Sequence, residues 1–206
     1  MEIAELDPLD ERSVELYAAA VVANAGGLDI SFNAIGLGDT QGVPLVEISH
    51  EHFALPIITA MKTHFCTTTT AARHMAKKRS GVIMAITAQA GRKPYRDVGG
   101  FGVACAAIEG LCRQLAVELG SLGIRVVCLR SAGSPDAAGL EEVWRRHGEN
   151  AGISRQAFEA SIAEHTLLKR LPKLDEIANA AVLVASDKAS AITAAVANVT
   201  CGEIAD

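Results

Sequence analysis

Short aliphatic runs alternate along this chain with amphipathic stretches of twelve or more residues. The runs at 81–86 and 124–129 are continuously apolar or nearly so, which is typical of strands buried on both faces of a parallel sheet. Adjacent parallel strands need a long crossover connection, usually a helix. The alternation therefore predicts an α/β fold with a parallel sheet.

The remaining elements follow the same rule. We predict strands at 28–33, 81–86, 124–129 and 195–199, and helices at 13–25, 49–78, 101–119 and 174–185. Residues 139–168 form one or two charged helices. No internal repeat and no Pro/Gly/Ser-rich linker divides the chain, so residues 1–206 are expected to form a single domain.

Composition and charge exclude several classes of function. The net charge of −5 gives no electrostatic reason to expect nucleic acid or an anionic membrane as a partner. The acidic start does not resemble a secretory signal, and no apolar run approaches the ~20 residues of a membrane span. The five cysteines are odd in number and never spaced as CxxC, so we expect reduced thiols, a cytoplasmic location and no metal site.

Several short motifs, taken in chain order, carry a family resemblance. Asn33-Ala34-Ile35-Gly36 closes the strand at 28–33, Ala106 to Gly110 lies in the long helix before the strand at 124, and Arg170-Leu171-Pro172 precedes the last helix. In this order and spacing the chain resembles the short-chain dehydrogenase/reductase (SDR) family. That resemblance implies a Rossmann-like, doubly wound sheet and an NAD- or NADP-dependent oxidoreductase.

The resemblance begins late in the family's pattern. Asp7 is similar to the aspartate that ends the family's third strand, so the first two strands and the glycine-rich turn have no counterpart here, and no GxxxGxG occurs. We therefore expect an incomplete sheet, an exposed edge at strand 28–33, and doubtful binding of NAD or NADP. The positions that the resemblance leaves for cofactor contacts are Asp7, Asn33, Ala34, Gly36 and Ser131.

The family resemblance also implies four catalytic side chains: an asparagine, a serine, a tyrosine and a lysine. The aligned positions hold Ala60, Ala88, Phe101 and Cys105. Phe101 has no hydroxyl to exchange a proton, and a cysteine is not a cation at neutral pH. We therefore predict a pseudoenzyme, or an enzyme that depends on unusual groups.

Some nearby side chains are candidates to replace the missing ones. Tyr95 follows Pro94 in a loop, Gln89 flanks Ala88, and both Cys105 and His64 lie on helices near the aligned positions. Each also has a simpler interpretation, as a half-buried loop residue or as part of the packing. The excursion at 131–172 is similar to the family's substrate lid, and Trp144 is its best candidate for a ligand-facing aromatic ring.

Two functional interpretations stay open at this point, beside a third possibility that the chain is a fragment with no independent function. One is an SDR-like oxidoreductase, impaired or with unusual catalytic groups. The other is a non-catalytic oligomeric subunit or a module that binds a small molecule. In either case we expect a homo-oligomer, a dimer or tetramer, formed through the helices around 53–78 and 101–119, because the second helix carries small residues that suit close packing: Gly102, Ala106, Ala107 and Gly110.

Overall fold

A computed structural model describes residues 3–206. Its sheet has four parallel strands in the spatial order β1 (Ile30–Asn33), β2 (Gly81–Ala88), β3 (Ile124–Ser131) and β4 (Ala195–Val199). In the register Ile30 lies beside Val82, which in turn lies beside Arg125. The α/β class and the parallel sheet predicted from the alternating pattern are confirmed.

In the described part of the chain, six α-helices connect and flank these strands. They are α1 (Glu11–Ala25), α2 (His50–Lys78), α3 (Phe101–Leu119), α4 (Ala138–His147), α5 (Arg155–Glu164) and α6 (Leu174–Ala185). The charged excursion predicted at 139–168 is thus two helices, α4 and α5. Within residues 3–206, no helix is both long enough and apolar enough to cross a membrane.

Local sequence signals set the ends of α2. The Ser49 hydroxyl accepts a hydrogen bond from the His52 amide at 3.1 Å, which satisfies one of the free N–H groups at the helix start. The helix stops where Arg79 takes a left-handed conformation with φ 52°. Lys77 and Lys78 lie in the last turn, where positive charge is favourable at the negative end of the helix dipole.

The strands separate two apolar cores by simple alternation of their side chains. Ile83 and Val126 point toward α2 and α3 and are fully buried. Met84 and Val127 point to the opposite face and pack near Val184 of α6. Because successive strand residues face opposite sides, a single run of aliphatic residues fills both cores.

The edge of the sheet at β1 is open, as expected. Within residues 3–206, β1 pairs with β2 alone, and Ile30 and Phe32 remain 49% and 44% exposed. Residues 3–6 do not form a strand, although Asp7 was matched to the end of one. No strand of residues 3–206 pairs with residues 3–6; residue 2 lies outside the described part.

Candidate functional site

A cavity of about 790 Å³ opens at the carboxyl ends of the parallel strands. This is the edge where ligands bind in open α/β sheets, and the volume lies within the range of small-molecule pockets. Strand ends and α3 form its floor, whereas α4 and α5 cover it. Much of its wall is apolar and includes Ile86, Phe101, Ile108, Leu140, Phe158 and Ile177.

Three of the four positions aligned with the family's catalytic side chains meet in this cavity. Ala88, Phe101 and Cys105 line it, whereas Ala60 lies on the inward face of α2 and is completely buried in the core. Burial raises the pKa of the Cys105 thiol to about 12, so it is neutral at pH 7. The Cys105 side chain is therefore a small packing group at this pH, as the simpler interpretation proposed.

The Tyr95 side chain reaches the same cavity and is held by residues that sequence reasoning did not find. Its hydroxyl donates to Gln41 Oε1 at 3.1 Å, and Gln41 Nε2 donates to Asp39 Oδ2 at 2.7 Å. His147 Nε2 also lies 3.1 Å from Gln41 Oε1. Because a carbonyl oxygen only accepts, His147 must carry its proton on Nε2. We call Asp39, Gln41, Tyr95 and His147 the polar cluster.

Burial sets the charge state of the polar cluster. Desolvation, with the nearby charge of Asp39, raises the pKa of Tyr95 well above the usual phenol value. Desolvation lowers the pKa of His147. Both side chains are thus neutral at pH 7, and they can orient a ligand through hydrogen bonds, although the raised pKa makes Tyr95 a weak acid.

Of the other predicted candidates, one lines the cavity and two lie outside it. Gln89 lines the cavity. His64 does not: it is 2% exposed inside α2, where Nδ1 donates to the Ala60 carbonyl at 3.0 Å. Trp144 is also outside the lining, and its indole N–H donates to the Ile153 carbonyl at 2.9 Å.

Comparison with known proteins agrees with this arrangement. A family model described as "Enoyl-(Acyl carrier protein) reductase" matches residues 1–203. The chain belongs to the short-chain dehydrogenase/reductase family. An uncharacterized oxidoreductase of Thermotoga maritima is 30% identical to this SDR chain over 196 residues, which are 94% of this chain and 74% of that one.

Two further relatives and two solved structures show the same likeness. Secoisolariciresinol dehydrogenase of Forsythia intermedia is 28% identical over 91% of this chain and 65% of its own length, and tropinone reductase-like 2 of Erythroxylum coca is 31% identical over 89% and 66%. The SDR chain thus spans about two thirds of the length of these two curated relatives.

Sorbitol-6-phosphate 2-dehydrogenase of Erwinia amylovora superposes with a TM-score of 0.90 at 24% identity, covering 98% of this chain and 79% of its own. Levodione reductase gives 0.86 at 25%, covering 96% and 75%.

SDR membership implies a nicotinamide dinucleotide, and only some of the positions matched to its contacts reach the cavity. Ala34, Gly36 and Ser131 do line the cavity. Asn33 is occupied inside the protein, since its Oδ1 accepts from Thr67 and its Nδ2 donates to the Met84 carbonyl. Asp7 accepts from the Leu9 amide and lies outside the cavity.

The glycine-rich turn that would hold the phosphates of such a cofactor has no match within residues 3–206. In the SDR pattern they rest on a glycine-rich turn at the start of a helix. Within residues 3–206, no strand and glycine-rich turn precede α1, whose N-cap is Asp10.

The described part of the chain likewise has no group of three His, Cys, Asp or Glu side chains that could hold a metal ion.

Proposed function

We propose that this SDR chain binds a small, largely apolar molecule in its cavity and does not carry out the family's proton-coupled hydride transfer. One observation carries the proposal: the side chains that meet at the aligned catalytic positions are a methyl group, a phenyl ring and a neutral thiol, from Ala88, Phe101 and Cys105. A cavity with such a wall can still enclose an apolar ligand.

The side chains near the aligned catalytic positions are poorly suited to transfer a proton at neutral pH. A general acid or base works best when its pKa lies near the operating pH. Phe101 has no exchangeable proton, and burial raises the pKa of Cys105 to about 12. Burial also raises the pKa of Tyr95, and no cation donates a hydrogen bond to its oxygen among the described residues.

A second candidate is an oxidoreductase that uses Tyr95 as its acid. The observation in favour is that the Tyr95 hydroxyl lies in the cavity wall and is oriented by Gln41, next to the His147 ring at a centroid distance of 5.9 Å. A neutral phenol can give a proton to an oxygen that is gaining negative charge. In this case Tyr95→Phe abolishes turnover without changing ligand affinity by more than about twofold.

The test combines binding and turnover on the same preparation. Titration calorimetry with 4-phenylbutanol, a neutral apolar probe, is expected to show binding that Ala88→Leu weakens, because the larger side chain takes space between the strand end and Phe101. Ala19→Leu, on the exposed side of α1, is the matched control and leaves affinity unchanged. Oxidation of NADH or NADPH in step with loss of a ketone would refute the non-catalytic proposal, and its loss in Tyr95→Phe would establish the second candidate.

We also propose that the chain forms a homo-oligomer through α2 and α3 in a reducing, cytoplasmic setting. Large apolar side chains on these helices are solvent-exposed in the single chain: Leu55, Ile58, Phe65, Val103 and Val117. The five cysteines are all free, which suits a reducing compartment. Light scattering after size exclusion should give a mass of two or four chains, and Phe65→Glu should reduce it to one; a wild-type monomer at 100 μM would refute this part.

A further inference from the structure

One carboxylate in the cavity wall has an oxygen without a partner. Glu203 follows β4 and lines the cavity, and its side chain is only 8% exposed. Among the described residues, its Oε2 atom is buried and accepts no hydrogen bond. A buried carboxylate oxygen that has left water without gaining a donor destabilises the protein. A ligand that brings a donor would remove that penalty.

The other oxygen of Glu203 is only weakly paired. Its Oε1 atom lies 3.5 Å from Lys93 Nζ, which is longer than the 2.7–2.9 Å of good charge-assisted hydrogen bonds. The Lys93 side chain is 47% exposed, so its ammonium group can move into solvent at little cost. A second ammonium group could take its place beside Glu203.

The two other acidic side chains of the cavity are already satisfied. Asp39 accepts from Gln41 at 2.7 Å and lies 3.7 Å from Arg146, and Glu142 accepts from Arg146 one turn away on α4. Glu203 is therefore the acid that gains most from a new donor.

We propose that the cavity is selective for apolar molecules that carry a protonated amine, and that Glu203 receives that amine. The inference rests on the proposed ligand-binding function and specifies its ligand class. Rotation of the carboxylate presents one oxygen to the cavity and leaves the apolar wall around Phe101 to hold the rest of the ligand. Glu203 acts here as a specificity-determining residue.

Three probes of the same length test the proposal: 4-phenylbutylamine, 4-phenylbutanol and 4-phenylbutyrate. Calorimetric titration at pH 7 should show the amine binding about tenfold more tightly than the alcohol, and the carboxylate more weakly than either. Glu203→Gln should bring the amine-to-alcohol ratio close to one. Lys93→Met, which removes the competing ammonium group, should keep the ratio or raise it.

Glu142→Gln is the matched control, because Glu142 lines the same cavity but is paired with Arg146; its ratio should stay within about twofold of the wild type. Equal binding of amine and alcohol by the wild type would overturn the amine selectivity and leave the proposed ligand binding intact. A preference that survives in Glu203→Gln would overturn the role of Glu203. Failure of all three probes to bind the folded wild type would overturn both proposals. If Glu203→Gln does not fold, the wild-type ratio and Lys93→Met still decide the outcome.

Discussion

Arg130 and Glu109 form a two-point ion pair in the interior between β3 and α3. The guanidinium Nε donates to one carboxylate oxygen at 2.8 Å and Nη2 donates to the other at 2.9 Å, and both side chains are under 7% exposed. A third contact joins Arg130 to the Asp206 side chain. This parallel, bidentate geometry is the strongest form of such a pair.

Removing one partner should therefore be costly. Arg130→Met leaves the Glu109 carboxylate buried without its charge partner, and we expect a loss of about 3–5 kcal/mol in the free energy of unfolding, measured by urea denaturation. Arg113→Met is the control, because Arg113 is 55% exposed and lies 3.9 Å from the same Glu109; it should cost less than about 1 kcal/mol. Equal losses in the two variants would contradict the assigned role of the buried pair.

Replacing Gly100 or Gly110 by alanine, just before and within α3, should change the stability of the protein in opposite directions. A Cβ on Gly100, the residue before α3, would lie 2.0 Å from the Phe53 carbonyl oxygen, so Gly100→Ala should destabilise the protein by about 1–3 kcal/mol or more. Gly110 has open space around its Cβ position within α3, so Gly110→Ala should stabilise it by about 0.5–1 kcal/mol. Thermal unfolding of both variants checks the pair, and a stabilising Gly100→Ala would show that α2 and α3 do not approach so closely.

Acid should destabilise the protein through its buried histidines. Burial lowers the pKa of His64 below its ordinary value near 6.5, and its Nε2 atom has no partner among the described residues. Above pH 6.5 His64 is neutral in both states. As the pH falls below 6.5, the unfolded chain takes up a proton that the native chain does not, so the free energy of unfolding falls by up to about 1.4 kcal/mol per pH unit for each such histidine.

The pH dependence can be divided between two residues. His64→Leu should reduce the slope of unfolding free energy against pH between 6.5 and 5, and His147→Gln should do so separately, since burial lowers the pKa of His147 as well. Urea denaturation at several pH values measures the slope. An unchanged slope in both variants would show that other groups cause the acid sensitivity.

Thiol labelling should separate Cys201 from the other cysteines. Cys66, Cys105, Cys112 and Cys128 are buried, whereas Cys201 is partly exposed. In native protein we expect one thiol to react with a disulfide reagent within minutes and the other four only after unfolding. Because burial raises the pKa of Cys201, its rate should keep increasing as the pH rises past the ordinary thiol value. Cys201→Ser should abolish the fast reaction, and fast labelling of Cys105 would contradict its enclosed position.

The fold was largely predictable, because each element has its own periodic pattern. The stripe of apolar residues in α3 predicts its ends, Phe101 and Leu119, to the residue, and the last strand is equally well bounded. Ala88 and Cys105 come together because Ala88 ends β2 and Cys105 lies near the start of α3, the helix that follows that strand end.

The polar part of the site was not predictable in the same way. Gln41, His147 and Glu203 are single polar residues without a periodic pattern, and they reach the cavity only when segments more than fifty residues apart come together. The helix pattern likewise does not predict the hydrogen bond of Trp144 to the Ile153 carbonyl.

The open side of β1 has a practical consequence for anyone preparing this protein. Among residues 3–206, the outer backbone groups of β1 beside Ile30 and Phe32 have no strand partner. Such an edge can pair with strands of other molecules, so aggregation at high protein concentration is expected and is independent of the ligand cavity. Phe32→Lys would add a positive charge at this edge and reduce aggregation at high protein concentration. Aggregation is thus governed by the outer edge of β1, whereas ligand binding is governed by the carboxyl ends of the strands.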